Sequence, residues 1–214
     1  MKKILLSFAI AMMASPVVNA QLDFSSMRVD VGANYTMYKG DFQQKTPGVK
    51  VRLSVPDNEA IAVGVSFTYG FPIKIASEMA FTGGSMVPSE VVFNFKTIAL
   101  EADYYFGGEK EEGLSVYASG RMGLVLVNYK EKLKGTAPSG EEPAYDNVSG
   151  KDNGFTINLA LGTQYAVGGR LRLFADAGVA LPANQVGGQY VENVIPFHIM
   201  FNAGVRFSLG AGSE

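Results

Sequence analysis

Hydrophobic residues recur at every second position along most of the chain after residue 25. The clearest stretch runs from Phe155 to Leu181, where one face carries large apolar side chains and the other carries small or polar ones. A period of two predicts β-strands, because successive side chains of a strand point to opposite faces. Eight segments show this pattern, at residues 27–39, 49–55, 60–71, 91–106, 114–129, 155–167, 171–181 and 196–209.

The connections between these segments alternate in length. Short ones lie at 56–59, 107–113 and 168–169, an intermediate one at 39–47, and long ones at 72–90, 130–153 and 182–196. Short turns and long loops then fall at opposite ends of an up-and-down sheet, which is typical of bacterial outer-membrane barrels with an even number of strands. The sequence therefore predicts an all-β fold, an eight-stranded antiparallel up-and-down transmembrane β-barrel.

The first residues have the pattern of an export signal. Lys2 and Lys3 precede an apolar run from Ile4 to Met13, and the small residue Ala20 closes a cleavage site. The apolar run is far shorter than the roughly 20 residues of a membrane-spanning helix. We expect residues 1–20 to be a cleaved signal peptide and residues 21–214 to form one outer-membrane barrel domain.

The two faces of the strands differ in a way that suggests which solvent each one meets. Soluble barrels usually expose many charged residues on the outer face, whereas here the non-apolar face is mainly Gly, Ala, Ser, Thr and Asn. We expect the apolar face to contact lipid, with a secreted lipocalin-like barrel as the alternative. The small face would then line the interior, where charges must pair because isolated buried charges are too costly. The charges predicted to form this network are Arg28, Asp30, Lys50, Arg52, Glu101, Asp103, Arg121, Arg172, Asp176 and Arg206.

The last segment, "PFHIMFNAGVRF", places an apolar residue at every second position before the aromatic Phe207. Together with the export signal, the eight segments and "EADYYFGG" at 101–108, it resembles the small OmpA/OmpX-like outer-membrane barrels of the porin-family barrel domains. The chain departs from many members in the residues that follow Phe207. The resemblance implies a place in the outer membrane, contact with outer-membrane lipid and help from the barrel assembly machinery during biogenesis.

The amino-acid composition limits the kinds of catalytic and binding site that the chain can form. The chain has no Cys, one His and a formal net charge of −2, so thiol chemistry is absent and neither a nucleic-acid surface nor a cofactor is indicated. A catalytic arrangement of His198 with Ser85 or Ser89 and Glu90 is conceivable. The barrel lipid A deacylases, however, place Ser two residues after the His, where this chain has Met200. The lone His is accompanied by no metal-ligand spacing. We therefore expect a protein that is not an enzyme and holds no metal.

The expected function is a structural or surface-interaction role, in adhesion or envelope integrity, carried by the long outer loops of a monomeric barrel. Recognition residues concentrate on loops when the scaffold is constrained on both faces. The alternatives are a small channel and, with less support, a lipid A modifying enzyme. Loops 72–90 and 130–153 are the predicted contact sites for a surface or host ligand, through Ile75, Met79, Phe81, Met86 and Tyr145.

The fourth segment contains an irregularity. Phe93 and Phe95 occupy odd positions, while Ile98 and Leu100 occupy even ones. A strict period of two cannot place both sets on one face. The pattern predicts a bulge near Lys96 and Thr97, or a strand that leaves the bilayer there.

Overall fold

A computed structural model describes residues 27–39, 43–144, 149–183 and 197–209. The predicted signal peptide, Tyr145 and most of the 182–196 connection lie outside these residues. The described chain forms eight strands: β1 (Arg28–Tyr38), β2 (Lys45–Asn58), β3 (Ile61–Ala80), β4 (Met86–Tyr105), β5 (Gly113–Leu133), β6 (Ser149–Gly168), β7 (Leu171–Pro182) and β8 (His198–Ser208).

The strands close into a barrel in which each one pairs antiparallel with its neighbours in sequence. Closure joins β1 to β8 through an uninterrupted register that includes Val31 opposite Val205. The Leu209 N–H donates a hydrogen bond to the Met27 carbonyl at 2.7 Å, so the first and last described residues of the chain are held together. The predicted eight-stranded antiparallel barrel is therefore confirmed.

The two ends of the barrel differ. At one, here called the turn end, the connections after β2, β4 and β6 are short, and β1 begins where β8 ends. At the other, the loop end, the chain connects β1 to β2, β3 to β4, β5 to β6 and β7 to β8. The strands from β3 to β6 contain 20 or 21 residues, whereas β1, β7 and β8 contain 11 or 12. One side of the barrel consequently rises beyond the other, and we call this part (residues 73–80, 86–95, 127–133 and 149–153) the raised wall.

The raised wall corrects two of the predicted loops. Residues 72–90 are mainly the ends of β3 and β4, which pair as far as Ala80 opposite Met86. The 130–153 connection is shortened by β5 and β6 to residues 134–148. Part of it folds back on the hairpin, because Thr82 N–H donates to Glu142 O and Ala144 N–H donates to Ala80 O. In residues 73–81 and 87–91 the apolar period of two belongs to the paired ends of β3 and β4 and to the hairpin tip, where the sequence predicts a loop.

Of the two alternatives for the fourth strand, the bulge is wrong, and a strand that leaves the bilayer near Lys96 and Thr97 stays a prediction. The β4–β5 register is continuous from Ser89 to Tyr105, and the irregularity lies in β3 between Gly70 and Ile73. Phe93 and Phe95 are both buried inside the barrel, while Ile98 and Leu100 point outward. The two apolar sets occupy opposite faces at different heights of one regular strand, so no bulge is needed to reconcile them.

Below the raised wall the outer face is a belt of exposed apolar side chains. Leu100, Leu161 and Leu173 are each about half exposed or more. Aromatic rings lie toward both edges of this belt: Tyr35, Phe71, Tyr104, Phe106, Phe155, Phe197 and Phe207. No helix in the described residues is long and apolar enough to cross a membrane.

Candidate functional site

A carboxylate closes the interior at the turn end. Glu109, in the connection after β4, forms ion pairs with Arg28 and Arg172: its Oε2 lies 2.6 Å from Arg28 Nη1 and its Oε1 lies 3.2 Å from Arg172 Nε. Gln164 Nε2 donates a hydrogen bond to the same carboxylate at 2.6 Å. Gly107 and Gly108 have φ of 78° and 82°, which L side chains rarely adopt, and they let the turn curl over the barrel mouth. Glu109 is therefore an interior residue, although the sequence "GGEKEEG" is that of a solvated turn.

The next level is organised around Arg206. Its Nε and Nη2 donate to the two carboxylate oxygens of Asp30, both at 2.7 Å, in the bidentate geometry that makes arginine–carboxylate pairs strong. Arg206 Nη1 donates to Tyr105 and to Gln164 Oε1. Arg52 Nη1 lies 2.5 Å from Asp103 Oδ2. These groups fill the cross-section with paired charges, and Arg206 is only 1% exposed.

A third level lies toward the middle of the barrel. Lys50 Nζ is 2.8 Å from Glu101 Oε1, and Ser66 donates to the same oxygen at 2.5 Å. Arg121 Nη2 is 2.7 Å from Asp176 Oδ2, while its Nε lies 3.4 Å from Glu101. The Lys50–Glu101 and Arg121–Asp176 pairs join strands that are not neighbours, β2 to β4 and β5 to β7, while Arg121 and Glu101 face each other on the neighbouring strands β5 and β4. The interior network therefore links the walls across the barrel.

Above the charged levels, toward the loop end, the interior side chains become mainly apolar. A cavity of about 40 Å³ has polar and apolar lining that includes Thr156, Asn158 and His198. Beyond it lies an apolar cluster, which we call the plug: Tyr38, Ile73, Phe93, Phe95, Val125, Val127 and Tyr129. Its rings pack closely, with centroid distances of 4.9 Å between Tyr38 and Phe95 and 5.8 Å between Phe93 and Tyr129. Charges and apolar groups thus occupy successive levels of the interior.

The structure places all ten charges predicted for the interior on its inner face, each less than a tenth exposed. They fall into two groups, a turn-end group with Arg28 and Arg172 and a central group with the other eight. Sequence reasoning missed Glu109, Tyr105 and Gln164. Gln164 and Tyr105 follow the inward period of their strands and could have been found from it, whereas Glu109 lies in a turn and carries no such signal.

The residues predicted for outer-loop contacts are mostly not on a surface. Met79 and Phe81 are 0% and 3% exposed and pack with Val87 inside the tip of the β3–β4 hairpin. Ile75 packs against the plug. Met86 is the exception, at 57% exposure, and Tyr145 lies outside the described residues. The apolar side chains between residues 72 and 90 are therefore explained by the inner face of the raised wall.

The groups considered for catalysis are not assembled. Ser89 points inward and donates to Glu131 at 2.6 Å, while Glu90 lies on the opposite face of β4, 3.0 Å from Lys134 Nζ. The hydrogen bond from Lys134 holds the pKa of the Glu90 carboxyl below its usual range. His198 packs on Tyr38, with ring centroids 5.2 Å apart. Among the described residues no group of His, Asp and Glu could hold a metal ion.

Solved structures with the same architecture exist. Neisserial surface protein A (NspA) has a TM-score of 0.55 at 17% identity, over 85% of this chain and 96% of that one. Ail, the attachment invasion locus protein of Yersinia pestis, in complex with the heparin analogue sucrose octasulfate, has a TM-score of 0.51 at 13% identity, over 85% and 98%. The fold is that of the small outer-membrane β-barrels. No protein-family model matches this sequence, and neither does any curated protein.

Proposed function

We propose that this protein is a monomeric integral outer-membrane barrel, exported with cleavage after Ala20, whose role is structural or surface-interacting and not enzymatic. The apolar belt with aromatic edges supports insertion, since a soluble barrel exposing this much apolar surface would aggregate. The turn end would face the periplasm and the loop end the exterior. Phe207, near the end of β8, would serve recognition by the barrel assembly machinery.

One observation carries the choice of a closed, non-conducting barrel over a channel: the interior is filled. Glu109 with its two arginines occupies the turn end, ion pairs occupy the middle, and the plug occupies the level above. Eight-stranded barrels leave an interior just wide enough for side chains. An interior packed in this way leaves little open space through which an ion or solute could pass. We therefore propose that function resides at the loop end.

In this orientation the raised wall and residues 134–148, which connect β5 to β6, would face the exterior. NspA is by name a surface protein and Ail an attachment invasion locus protein, and a similar placement is consistent with a contact role here. We propose that residues 134–148, with the exposed Met86, form the contact surface for an external ligand.

The test replaces residues 134–148 by a tight turn that joins Leu133 to Ser149 and leaves every strand intact. The expected result is a barrel that still migrates heat-modifiably and fractionates with the outer membrane but loses adhesion of the cells to host surfaces. The matched control neutralises Lys110 and Arg170 at the opposite end and should keep adhesion. Unchanged adhesion in the shortened protein, or stable ion conductance of the purified wild type in planar bilayers, would overturn the proposal.

A further inference from the structure

The outer face of the raised wall and its margins carry a cluster of basic side chains, of which the proposed contact surface includes only Lys134. We call it the lysine patch: Lys74, Lys96, Lys130, Lys132, Lys134 and Lys151. Two acidic residues, Glu78 and Glu90, share this face. The whole chain has a formal charge of −2, so the patch does not reflect a basic composition.

The sheet register brings five of these lysines together from four strands, and Lys134 follows directly after β5. Val92 lies opposite both Lys74 and Lys130, which places those two lysines two strand spacings apart, about 10 Å. Lys132 follows Lys130 on the same face after about 7 Å. Lys151 lies opposite Asn128, diagonally next to Lys130. Long lysine side chains at these separations can converge on one multivalent anion.

Two of the patch lysines are engaged by Glu90: Lys134 at 3.0 Å and Lys74 at 3.8 Å. Within the described residues, Lys130, Lys132 and Lys151 form no ion pair, and all three are exposed. Positive charge on this face is therefore only partly balanced by the protein, which favours an anionic partner from outside.

The height of the patch identifies where that partner lies. Lys96 is directly opposite Leu126, at the upper edge of the apolar belt. Lys130 follows Leu126 by four residues, roughly 13 Å along a tilted strand and so about 9 Å above the belt. The headgroup region of a bilayer extends about 5–8 Å beyond the hydrocarbon on each side. A Lys130 side chain that reaches downward would place its ammonium group within this region.

We infer that the lysine patch binds the phosphate groups of phosphorylated lipid headgroups in the outer leaflet around the barrel. Ammonium groups near an anionic membrane surface each contribute about a fivefold gain in binding. These lysines face sideways, just above the apolar belt, and this position favours a lipid headgroup over a soluble anion. The inference rests on the proposed membrane placement with the loop end outward.

The test compares two double variants of the full chain, purified as folded barrels in dodecyl-maltoside micelles. Lys130→Gln with Lys132→Gln removes the centre of the patch. Lys110→Gln with Arg170→Gln removes two exposed charges at the turn end and is the matched control. Binding of fluorescent diphosphoryl lipid A is followed by anisotropy, against the dephosphorylated lipid, inorganic phosphate and heparin as competitors.

We expect the patch variant to bind roughly 20- to 30-fold more weakly than wild type and the control to bind equally. Wild-type binding should weaken as salt rises, a readout that needs no variant. Equal losses in both variants, or no loss in either, would overturn the inference. So would inorganic phosphate competing as well as the phosphorylated lipid, which would point to a free-anion site, or heparin binding more tightly, which would point to a soluble glycan. The assay needs neither cells nor adhesion, so it can fail while the proposed surface role stands.

Discussion

Arg28 and Glu109 form an ion pair across the turn end of the barrel, with 2.6 Å between Nη1 and Oε2. The pair joins the start of β1 to the connection after β4, on the far side of the mouth. Because the site lies at the mouth, where water can replace part of the interaction, we expect Glu109→Gln to lower the free energy of unfolding by about 1–2 kcal/mol, less than for a fully buried pair. Urea unfolding in micelles measures this, with Lys110→Gln as control. Equal stability of the two variants would contradict the role given to Glu109.

The Arg206–Asp30 pair should behave as a buried unit. Arg206→Met leaves the Asp30 carboxylate without its bidentate partner, and we expect a loss of about 3–5 kcal/mol in the free energy of unfolding. Adding Asp30→Leu removes the stranded charge and should restore a large part of that loss. A double-mutant cycle from urea unfolding measures the coupling. A double variant no more stable than Arg206→Met alone would show that the pair is not the stabilising element.

Gly162 provides room for an aromatic ring inside the barrel. A Cβ at this position would lie 2.4 Å from Cζ of Tyr117, whereas one at the strand glycine Gly120 would meet nothing within 4 Å. We expect Gly162→Ala to reduce the free energy of unfolding by about 1–3 kcal/mol through overpacking. Gly120→Ala should have little effect. The temperature at which the gel migration of each barrel shifts provides the comparison, and indistinguishable shifts would refute the packing argument.

The proposed orientation can be tested by chemical labelling, because the chain contains no cysteine. Met86→Cys introduces one thiol at the exposed tip of the raised wall, and Lys110→Cys introduces one at the turn end. In intact cells a maleimide too large to pass the outer membrane should label only the first. The second should react after the outer membrane is permeabilised. The reverse labelling pattern would show that the turn end faces the exterior, and it would contradict both the proposed orientation and the proposed surface role.

Much of the barrel could be predicted because each face of a strand meets one environment over most of its length. The eight segments, their antiparallel order and the inward positions of the ten charges all follow from that period. The raised wall could not be predicted, because above the belt the apolar side chains of the period-two pattern point inward and no longer outward. Ile98, in the belt, is apolar and points outward, whereas Phe93, in the raised wall, is apolar and points inward.

The missed parts of the interior have a different cause. Glu109 lies in a turn whose charged neighbours Lys110 and Glu111 are exposed, and only the backbone curl at Gly107 and Gly108 directs it inward. Met79 and Phe81 lie in a stretch whose sequence predicts a loop, whereas β3 continues to Ala80 and Phe81 is buried at the tip of the hairpin. Local pattern cannot reveal either arrangement, because both depend on where the rest of the barrel ends.

The interior charges also constrain the order of assembly. Arg52 meets Asp103 across the intervening strand β3, and Arg121 meets Asp176 across β6. These partners come together only when the sheet has curled, and Arg28 reaches Glu109 only when the cylinder is nearly complete. A half-curled sheet entering hydrocarbon would carry unpaired ions, each costing several kcal/mol. We therefore expect insertion and closure to be coupled into one event, so that partly formed barrels are kept out of the bilayer.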